Sequence, residues 1–201
     1  MPRVLSDTDV ADFRGRLCEA AERLFAEKGL ESVTMRQLAS ELGVSPMTPY
    51  RYFKDKDDIL AAVRTSGFDR FADALEAARN TTEDARRRGA AVGQAYMNFA
   101  FEHPHTYRLM FDLGQSDEGT YPDLARATER AHSNQSAYVR DLIEAGVLEG
   151  DPDTVGQMFW AASHGVIQLW MTGKLKSRDE ARDLVGAINH AISRGLRPSR
   201  T

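Results

Sequence analysis

The chain has 201 residues, of which 42% are hydrophobic and 28% are charged, and its formal net charge at pH 7 is −4. This composition supports an ordinary folded core and excludes wholesale disorder. The single cysteine, Cys18, excludes an intrachain disulfide, and we expect it to be a buried small residue in preference to a redox sensor. No stretch is apolar over the ~18 residues of a membrane helix, and the first residues lack the apolar segment of a signal peptide. We therefore expect a cytoplasmic protein.

Two amphipathic helices are predicted at the N-terminal end of the chain. Apolar residues recur at helical spacing over residues 9–28, with charged residues between them. A second, shorter helix is predicted over residues 35–42, with Thr34 as its N-cap and Gly43 at its end.

Ser45 and Pro46 predict the start of a third helix. Serine is a good N-cap, and proline at the first helical position loses no intrahelical hydrogen bond. Two short helices joined by residues 43–45 are typical of a helix-turn-helix, whose second helix enters the major groove of DNA. DNA is therefore the leading partner.

The rest of the chain also has the pattern of helices. They are predicted over residues 56–79, 83–102, 105–111 and 122–145, followed by two last helices with regular apolar stripes. No strand alternation or hairpin turn interrupts them. We therefore predict an all-α fold of about nine helices, with a helix-turn-helix DNA-binding domain of three helices over residues 1–55 and a helical domain over residues 56–201.

Charge alone does not decide whether the chain binds DNA. The net charge of −4 argues against it, but residues 34–56 contain four basic residues and only two acidic ones. A local basic face is enough to neutralise phosphates.

The stretch GVSPMTPYRYFKDKDDIL, which begins at Gly43, resembles the DNA-binding domain of the TetR/AcrR family of bacterial transcriptional regulators. The resemblance covers residues 17–63 and includes LFAEKG, the threonine-capped MRQLASELGVS, and the spacing of Tyr50, Tyr52, Phe53 and Lys56. It implies a homodimeric repressor that binds a palindromic DNA operator at the nucleoid and is released by a small-molecule effector. It implies no cofactor and no enzyme activity.

A second resemblance lies in the C-terminal half. Trp160, His164 and Gly165 follow the stretch YMNFAFEHPHTYRLMF over residues 96–111. Together they are similar to the TetR subgroup whose ligand-binding and dimerisation domain is named for a Trp-His-Gly motif.

One position departs from the family pattern. Pro49 stands where the family usually has an aliphatic residue before the tyrosine. Because it falls in the first turn of the predicted third helix, we expect a stiffened N-terminal turn and an unbroken helix.

The resemblance and the helix positions together assign a DNA-binding surface. Base contacts are expected from Pro46, Met47, Thr48, Tyr50 and Arg51, and the resemblance implies that Arg36 contacts a base or a phosphate. Phosphate contacts are expected from Thr34, Ser45, Tyr50, Tyr52, Lys54 and Lys56. Thr34 and Ser45 serve equally as plain N-caps, and ordinary packing is the alternative for the two tyrosines.

The C-terminal helices offer candidate residues for a ligand pocket and a dimer interface. The resemblance places the pocket among aromatic and adaptable side chains: Phe68, Phe71, Tyr96, Phe99, Tyr107, Met110, Phe111, Trp160 and His164. Core packing is the alternative for any one of them. The dimer interface is expected at Phe159, Val166, Trp170, Leu184, Ile188, Ala191 and Ile192, unless these stripes are wholly intrachain.

Two other function classes have some support in the sequence. The Glu-x-x-His spacings of Glu102 with His105 and of Glu129 with His132 are typical of di-iron helical bundles, but Pro104 interrupts the first. We therefore expect no metal site. A nonspecific DNA-binding module is the other alternative, since a sequence does not reveal how strongly a surface discriminates between base sequences.

Overall fold

The computed structural model describes residues 6–111 and 118–198. Over these ranges the chain forms α-helices and short 3-10 helices without any strand, which confirms the all-α fold. The α-helices are α1 (Asp7–Lys28), α2 (Met35–Glu41), α3 (Lys56–Arg79), α4 (Ala85–Glu102), α5 (Pro104–Phe111), α6 (Pro122–Glu144), α7 (Pro152–Met171) and α8 (Arg178–Gly195). The 3-10 helices are Leu30–Ser32, Pro49–Arg51 and Glu118–Thr120.

Capping side chains set several helix starts. Thr34 and Gln37 form a capping box, in which the Gln37 amide donates to Thr34 Oγ1 at 3.3 Å and the Thr34 amide donates to Gln37 Oε1 at 2.8 Å. Asp84 accepts from the Arg87 amide at 2.8 Å, so α4 begins at Ala85, two residues later than predicted.

The predicted helix after Ser45 is replaced by a turn and the 3-10 helix Pro49–Arg51. The Ser45 carbonyl accepts from the Thr48 amide at 2.8 Å, and the next backbone bonds run from Arg51 to Thr48 and from Tyr52 to Pro49. Proline has no N–H, so residue 49 donates no bond to the Ser45 carbonyl, as an α-helix would require. The prediction that the helix would survive Pro49 is wrong.

The chain divides into two compact units. The first unit comprises Met1–Gly67 and Arg108–Arg126, and the second unit comprises Phe68–Tyr107 and Ala127–Thr201. Helix α3 begins in the first unit and ends in the second. The domain boundary expected between residues 55 and 56 stays a prediction.

Each unit has its own apolar core. In the first unit the predicted apolar face of α1 packs against α2 and the start of α3, with Leu17, Leu38 and Ile59 fully buried. In the second unit Val139, Leu148 and Phe159 form part of a cluster between α6, α7 and the segment that joins them. Burial of this kind stabilises by about 25 cal/mol per Å² of apolar surface.

Asp141 and Arg130 tie helices of the second unit together. Asp141 on α6 accepts from Arg79 at 3.0 and 3.1 Å and from Arg88 at 2.8 Å, so it links α6 to α3 and α4. Arg130 on α6 donates to Glu76 on α3 at 2.6 Å. Among the described residues, no helix is both long enough and apolar enough to cross a membrane.

Candidate DNA-binding surface and ligand cavity

The segment after α2 presents an exposed surface in the first unit. Met47 is 67% exposed and Tyr50 is 49% exposed, although both are large side chains that usually avoid water. The cations Arg36, Arg51 and Lys54 are also exposed, and none has a carboxylate within ion-pair distance in the described parts of the chain. Unpaired cations beside exposed aromatic and thioether groups are suited to a polyanion with apolar base edges.

Buried anchors explain why these side chains face solvent. Pro49, the first residue of the short 3-10 helix, and Phe53, which follows it, are both buried, so the intervening Tyr50 and Arg51 point outwards. On α2 the residues Met35 and Leu38 are buried, which leaves Arg36 exposed in the first turn. The candidate residues Thr34, Ser45 and Pro46 are likewise exposed.

Tyr52 and Lys56 have intrachain partners. The Tyr52 ring packs on Phe13 with centroids 4.4 Å apart, and its backbone carbonyl accepts from Arg14. The ammonium group of Lys56 donates to the Leu30 carbonyl at 2.9 Å. The structure therefore gives both residues a packing role, and their expected phosphate contacts stay predictions.

A cavity of about 350 Å³ lies in the second unit. Residues of α4, α6, α7 and α8 line it, and its apolar walls include Val92, Tyr138, Leu142, Leu148 and Phe159. This size and character are typical of small-molecule sites. Of the predicted ligand residues, Tyr96 and Trp160 line it.

The other predicted ligand residues do not line this cavity. Phe71 is fully buried and packs edge-on against Tyr96 and at an angle against Phe99, both at 5.1 Å, so it supports the wall from behind. Phe68 is buried in the core, and Met110 and Phe111 belong to the first unit. His164 and Tyr107 form a hydrogen bond to each other instead.

That hydrogen bond is part of a buried chain. The Tyr96 and Tyr107 hydroxyls are 2.7 Å apart, Tyr107 Oη lies 2.7 Å from His164 Nδ1, and His164 Nε2 lies 3.3 Å from Gln168 Nε2. Burial raises the pKa of both tyrosines and lowers the pKa of His164, so the neutral forms are favoured. The chain connects the wall of the cavity to α7 through neutral groups.

Two amides of the cavity wall lack partners. Gln135 is 7% exposed, and among the residues that the structure describes neither its Nε2 nor the buried Oδ1 of Asn189 has a hydrogen-bond partner. An unsatisfied buried polar group costs about 1–3 kcal/mol. Neither residue was predicted from the sequence, because a polar side chain within an amphipathic helix usually lies on the solvent face.

Family models match two segments of the chain. One, described as bacterial regulatory proteins of the tetR family, matches residues 17–63 and so includes the exposed surface. The other, described as the tetracyclin repressor-like C-terminal domain, matches residues 90–191, about half of the chain. The chain belongs to the TetR family. This family consists of bacterial regulatory proteins, and the assignment of the chain to the Trp-His-Gly subgroup stays a prediction.

Curated proteins and solved structures are also similar to this chain. The HTH-type transcriptional activator FasR of Mycolicibacterium smegmatis is 31% identical over 130 residues, which span 65% of this chain and 58% of that protein. A solved structure of a protein of unknown function from Rhodococcus sp. RHA1 is 28% identical, covers 98% of this chain and 100% of its own, and has a TM-score of 0.81. The TetR family regulator PfmR from Thermus thermophilus is 25% identical, covers 91% and 100%, and has a TM-score of 0.69.

The expected dimer residues of this TetR regulator fall into two groups. Phe159 and Val166 are 7% and 2% exposed, so both are buried in the core of the chain itself. Ile192 packs against the cluster around Phe159. Trp170, Leu184, Ile188 and Ala191 remain partly or fully exposed. Leu169 is 42% exposed and Met158 is 40% exposed, so α7 presents further apolar surface.

The two Glu-x-x-His spacings do not form a metal centre. Glu102 ends α4 and Pro104 begins α5, so Glu102 and His105 lie on different helices. His132 packs against the Trp160 ring at 5.2 Å. Within residues 6–111 and 118–198, no group of three or more His, Cys, Asp or Glu side chains is arranged to hold a metal ion.

Proposed function

We propose that this TetR regulator is a ligand-responsive repressor that binds a palindromic operator as a homodimer and is released by a small molecule. The observation that carries the proposal is the presence, in one chain, of an exposed cationic and aromatic DNA surface and a 350 Å³ cavity with unsatisfied polar groups. A surface of this kind binds DNA, and a cavity of this kind binds a small molecule.

A dimer is needed because one short segment reads only a few base pairs. A twofold dimer places two such segments one DNA turn apart, ~34–36 Å, and a palindromic operator follows. The proposed interface lies on α7 and α8 and consists of four partly or fully exposed residues: Trp170, Leu184, Ile188 and Ala191. Their side chains provide the apolar surface that an obligate interface requires.

Release by a ligand requires that operator and ligand favour different dimer geometries. A ligand that fills the cavity would favour one separation of the two reading segments, and the operator would favour another. Helix α3 runs without a break from the first unit into the second and is the proposed element that carries the change. Ligand and operator then weaken each other's binding by the same factor.

Operator selection tests the DNA half of the proposal. Duplexes that bind the protein are selected from a random pool, and the selected sequence competes against random duplex. We expect a palindrome that binds ~10³-fold or more tightly than random DNA. Equal competition would instead support the nonspecific DNA-binding module.

Two variants sharpen the selection. Arg51→Ala should relax the base preference at one position, and Lys54→Ala should weaken binding uniformly and reduce the salt slope by about one. Arg194→Ala is the control, because this exposed arginine lies on α8 in the other unit. If Arg51→Ala and Lys54→Ala bind like the control, the exposed segment is not the DNA surface.

The sign of regulation needs its own test. The relative from Mycolicibacterium smegmatis is named an activator, whereas we propose that this chain is a repressor. A reporter gene placed behind the selected operator should be expressed less when this protein is present. Increased expression would make the protein an activator and would leave the DNA-binding proposal intact.

A further inference from the structure

The cavity of the second unit has an asymmetric charge. Three of its lining residues, Arg86, His190 and Arg197, are basic types, and none of the described residues that line it is acidic. Arg86 lies in the first turn of α4, and His190 and Arg197 lie on and just after the C-terminal half of α8. All three are exposed, so they stand where the cavity meets solvent.

The arginines at the cavity differ from others of the same unit. Arg79 and Arg88 share the carboxylate of Asp141 on contacts of 3.0 and 2.8 Å, and Arg130 pairs with Glu76 at 2.6 Å. Arg86 and Arg197 have no carboxylate within ion-pair distance in the described parts of the chain. Their positive charges are therefore available to an anion, and the guanidinium group suits carboxylate and phosphate oxygens.

A backbone contact holds Arg197 at the cavity. The amide of Glu149 donates to the Leu196 carbonyl at 2.7 Å, which fixes the residues after α8 to the segment between α6 and α7. Leu148 in that segment lines the cavity beside Arg197. This bond places the backbone next to Arg197 against the segment that contributes Leu148 to the cavity.

The inner end of the cavity is neutral and polar. Arg86 and Tyr96 both line it from α4, and their sequence separation corresponds to about 15 Å along a helix. Gly89 on α4 lies against Tyr138 and Leu142 on α6, so Gln135, further towards the N-terminus of α6, is inferred to lie towards the inner end. Its Nε2 group is a buried donor without a partner among the described residues. Between the two ends the walls are apolar, including Val92 and Leu142.

We propose that this cavity takes an elongated anionic amphiphile. Its carboxylate or phosphate group binds Arg86 and Arg197 at the solvent end, and its apolar body lies along Val92 and Leu142. A hydrogen-bond acceptor at the far end of the molecule accepts a hydrogen bond from the side-chain amide of Gln135. The assignment of this molecule as the effector rests on the proposed function, but its binding to the cavity does not.

Three probes of equal length test the charge preference. Decanoate, decanol and decylammonium are titrated calorimetrically into the full-length, DNA-free protein below their aggregation concentrations. We expect decanoate to bind about tenfold more tightly than decanol, because a charge-assisted hydrogen bond is stronger than a neutral one, and decylammonium to bind most weakly. Added salt should reduce the advantage of decanoate.

The double variant Arg86→Gln, Arg197→Gln identifies the residues responsible. It should bind decanoate and decanol equally, while the control Arg87→Gln, Arg194→Gln keeps the preference. Arg87 is the exposed neighbour of Arg86 on α4, Arg194 is exposed at the end of α8 three residues before Arg197, and neither lines the cavity. Thermal unfolding checks that both double variants fold.

The acceptor at the inner end is tested separately with ω-hydroxydecanoate. It should bind more tightly than decanoate to the unaltered protein, and Gln135→Met should abolish the difference. The anionic assignment is overturned if decanol binds as tightly as decanoate, if the preference survives in the Arg86, Arg197 variant, or if none of the probes binds. All these measurements are made without DNA. The anionic assignment can therefore be wrong even if the protein binds its operator, and it can be correct even if the ligand does not release the protein from the operator.

Discussion

The carbonyl oxygen of Ser45 accepts a hydrogen bond from the amide of Thr48 at 2.8 Å. In an α-helix it would accept from residue 49, which here is a proline without an amide hydrogen. The segment that we propose to bind DNA is therefore a turn followed by a 3-10 helix. Its exposed side chains, Met47 and Tyr50, lie on either side of that change in backbone geometry.

Replacing the proline should restore the missing bond. In Pro49→Leu, residue 49 gains an amide that can donate to the Ser45 carbonyl, and we expect the segment to become α-helical. Hydrogen exchange measured by NMR should show slow exchange of the new amide. The Leu42 amide, which donates to the Leu38 carbonyl at 3.2 Å outside this segment, is the internal control. Rapid exchange at residue 49 would mean that the turn is set by something other than the proline.

The two tyrosines of this segment should respond differently to truncation. Tyr50→Ala removes a side chain that is 49% exposed, so it should weaken operator binding with little change in stability. Tyr52→Ala removes the ring that packs on Phe13, so it should lower the free energy of unfolding by about 1–2 kcal/mol. Urea unfolding and operator titration of both variants separate the two effects. Equal losses of stability would contradict the different burial.

The helices could be predicted because their signals are local. Apolar spacing identifies α1, and the capping pair of Thr34 and Gln37 fixes the start of α2 within a few residues. The 3-10 helix at Pro49 was missed because an early proline is tolerated in many helices. The effect of such a proline on the helix depends on which carbonyl loses its donor. Sequence spacing alone did not show that the Ser45 carbonyl would accept from the Thr48 amide instead.

The cavity could be predicted only in part, because it depends on contacts between distant residues. Aromatic character indicated Tyr96 and Trp160, which do line it. The same criterion also indicated Phe71 and Phe99, which pack behind the wall. Nothing in the local pattern distinguishes the two pairs. Which face of a helix meets a cavity depends on how its neighbours cross it.

The carboxylate of Asp141 should be important for stability. Burial alone would raise its pKa, but hydrogen bonds from Arg79 and Arg88 outweigh that effect and lower the pKa. Asp141→Asn removes the charge that both guanidinium groups share, so we expect a loss of about 2 kcal/mol in the free energy of unfolding. Asp153→Asn is the control, because Asp153 is 72% exposed and lies 4.0 Å from its partner Arg140. Equal losses in the two variants, measured by urea unfolding, would exclude a special role for Asp141.

His164 should make stability depend on pH. Burial lowers its pKa in the folded protein below the ordinary value of 6.5, so between those two values the unfolded chain binds more protons. The contribution of neutral His164 to the free energy of unfolding is complete above pH 6.5 and is lost as the pH falls through the pKa of the folded state. The decline in stability between neutral and mildly acidic pH should therefore be smaller in His164→Gln than in the unaltered protein. Identical declines would show that His164 is not protonated on unfolding over this range.

Filling the cavity should separate ligand binding from DNA binding. Gly93 on α4 lines the cavity, and a Cβ at this position would meet no atom within 4 Å. Gly93→Leu therefore places a side chain in open space, and leucine is a better helix former than glycine by roughly 1 kcal/mol. We expect a protein of equal or greater stability that keeps its operator affinity.

The same variant should lose the small molecule, because the new side chain occupies the space of the ligand's apolar body. Decanoate should bind about tenfold more weakly or not at all by calorimetry, and it should no longer affect operator affinity. Gly15→Leu is the control for ligand binding, since Gly15 also has no atom within 4 Å of its Cβ position but lies on α1 in the first unit. If Gly93→Leu binds decanoate as tightly as the control does, the apolar body of the ligand does not lie against Gly93, which would contradict the proposed position of the ligand.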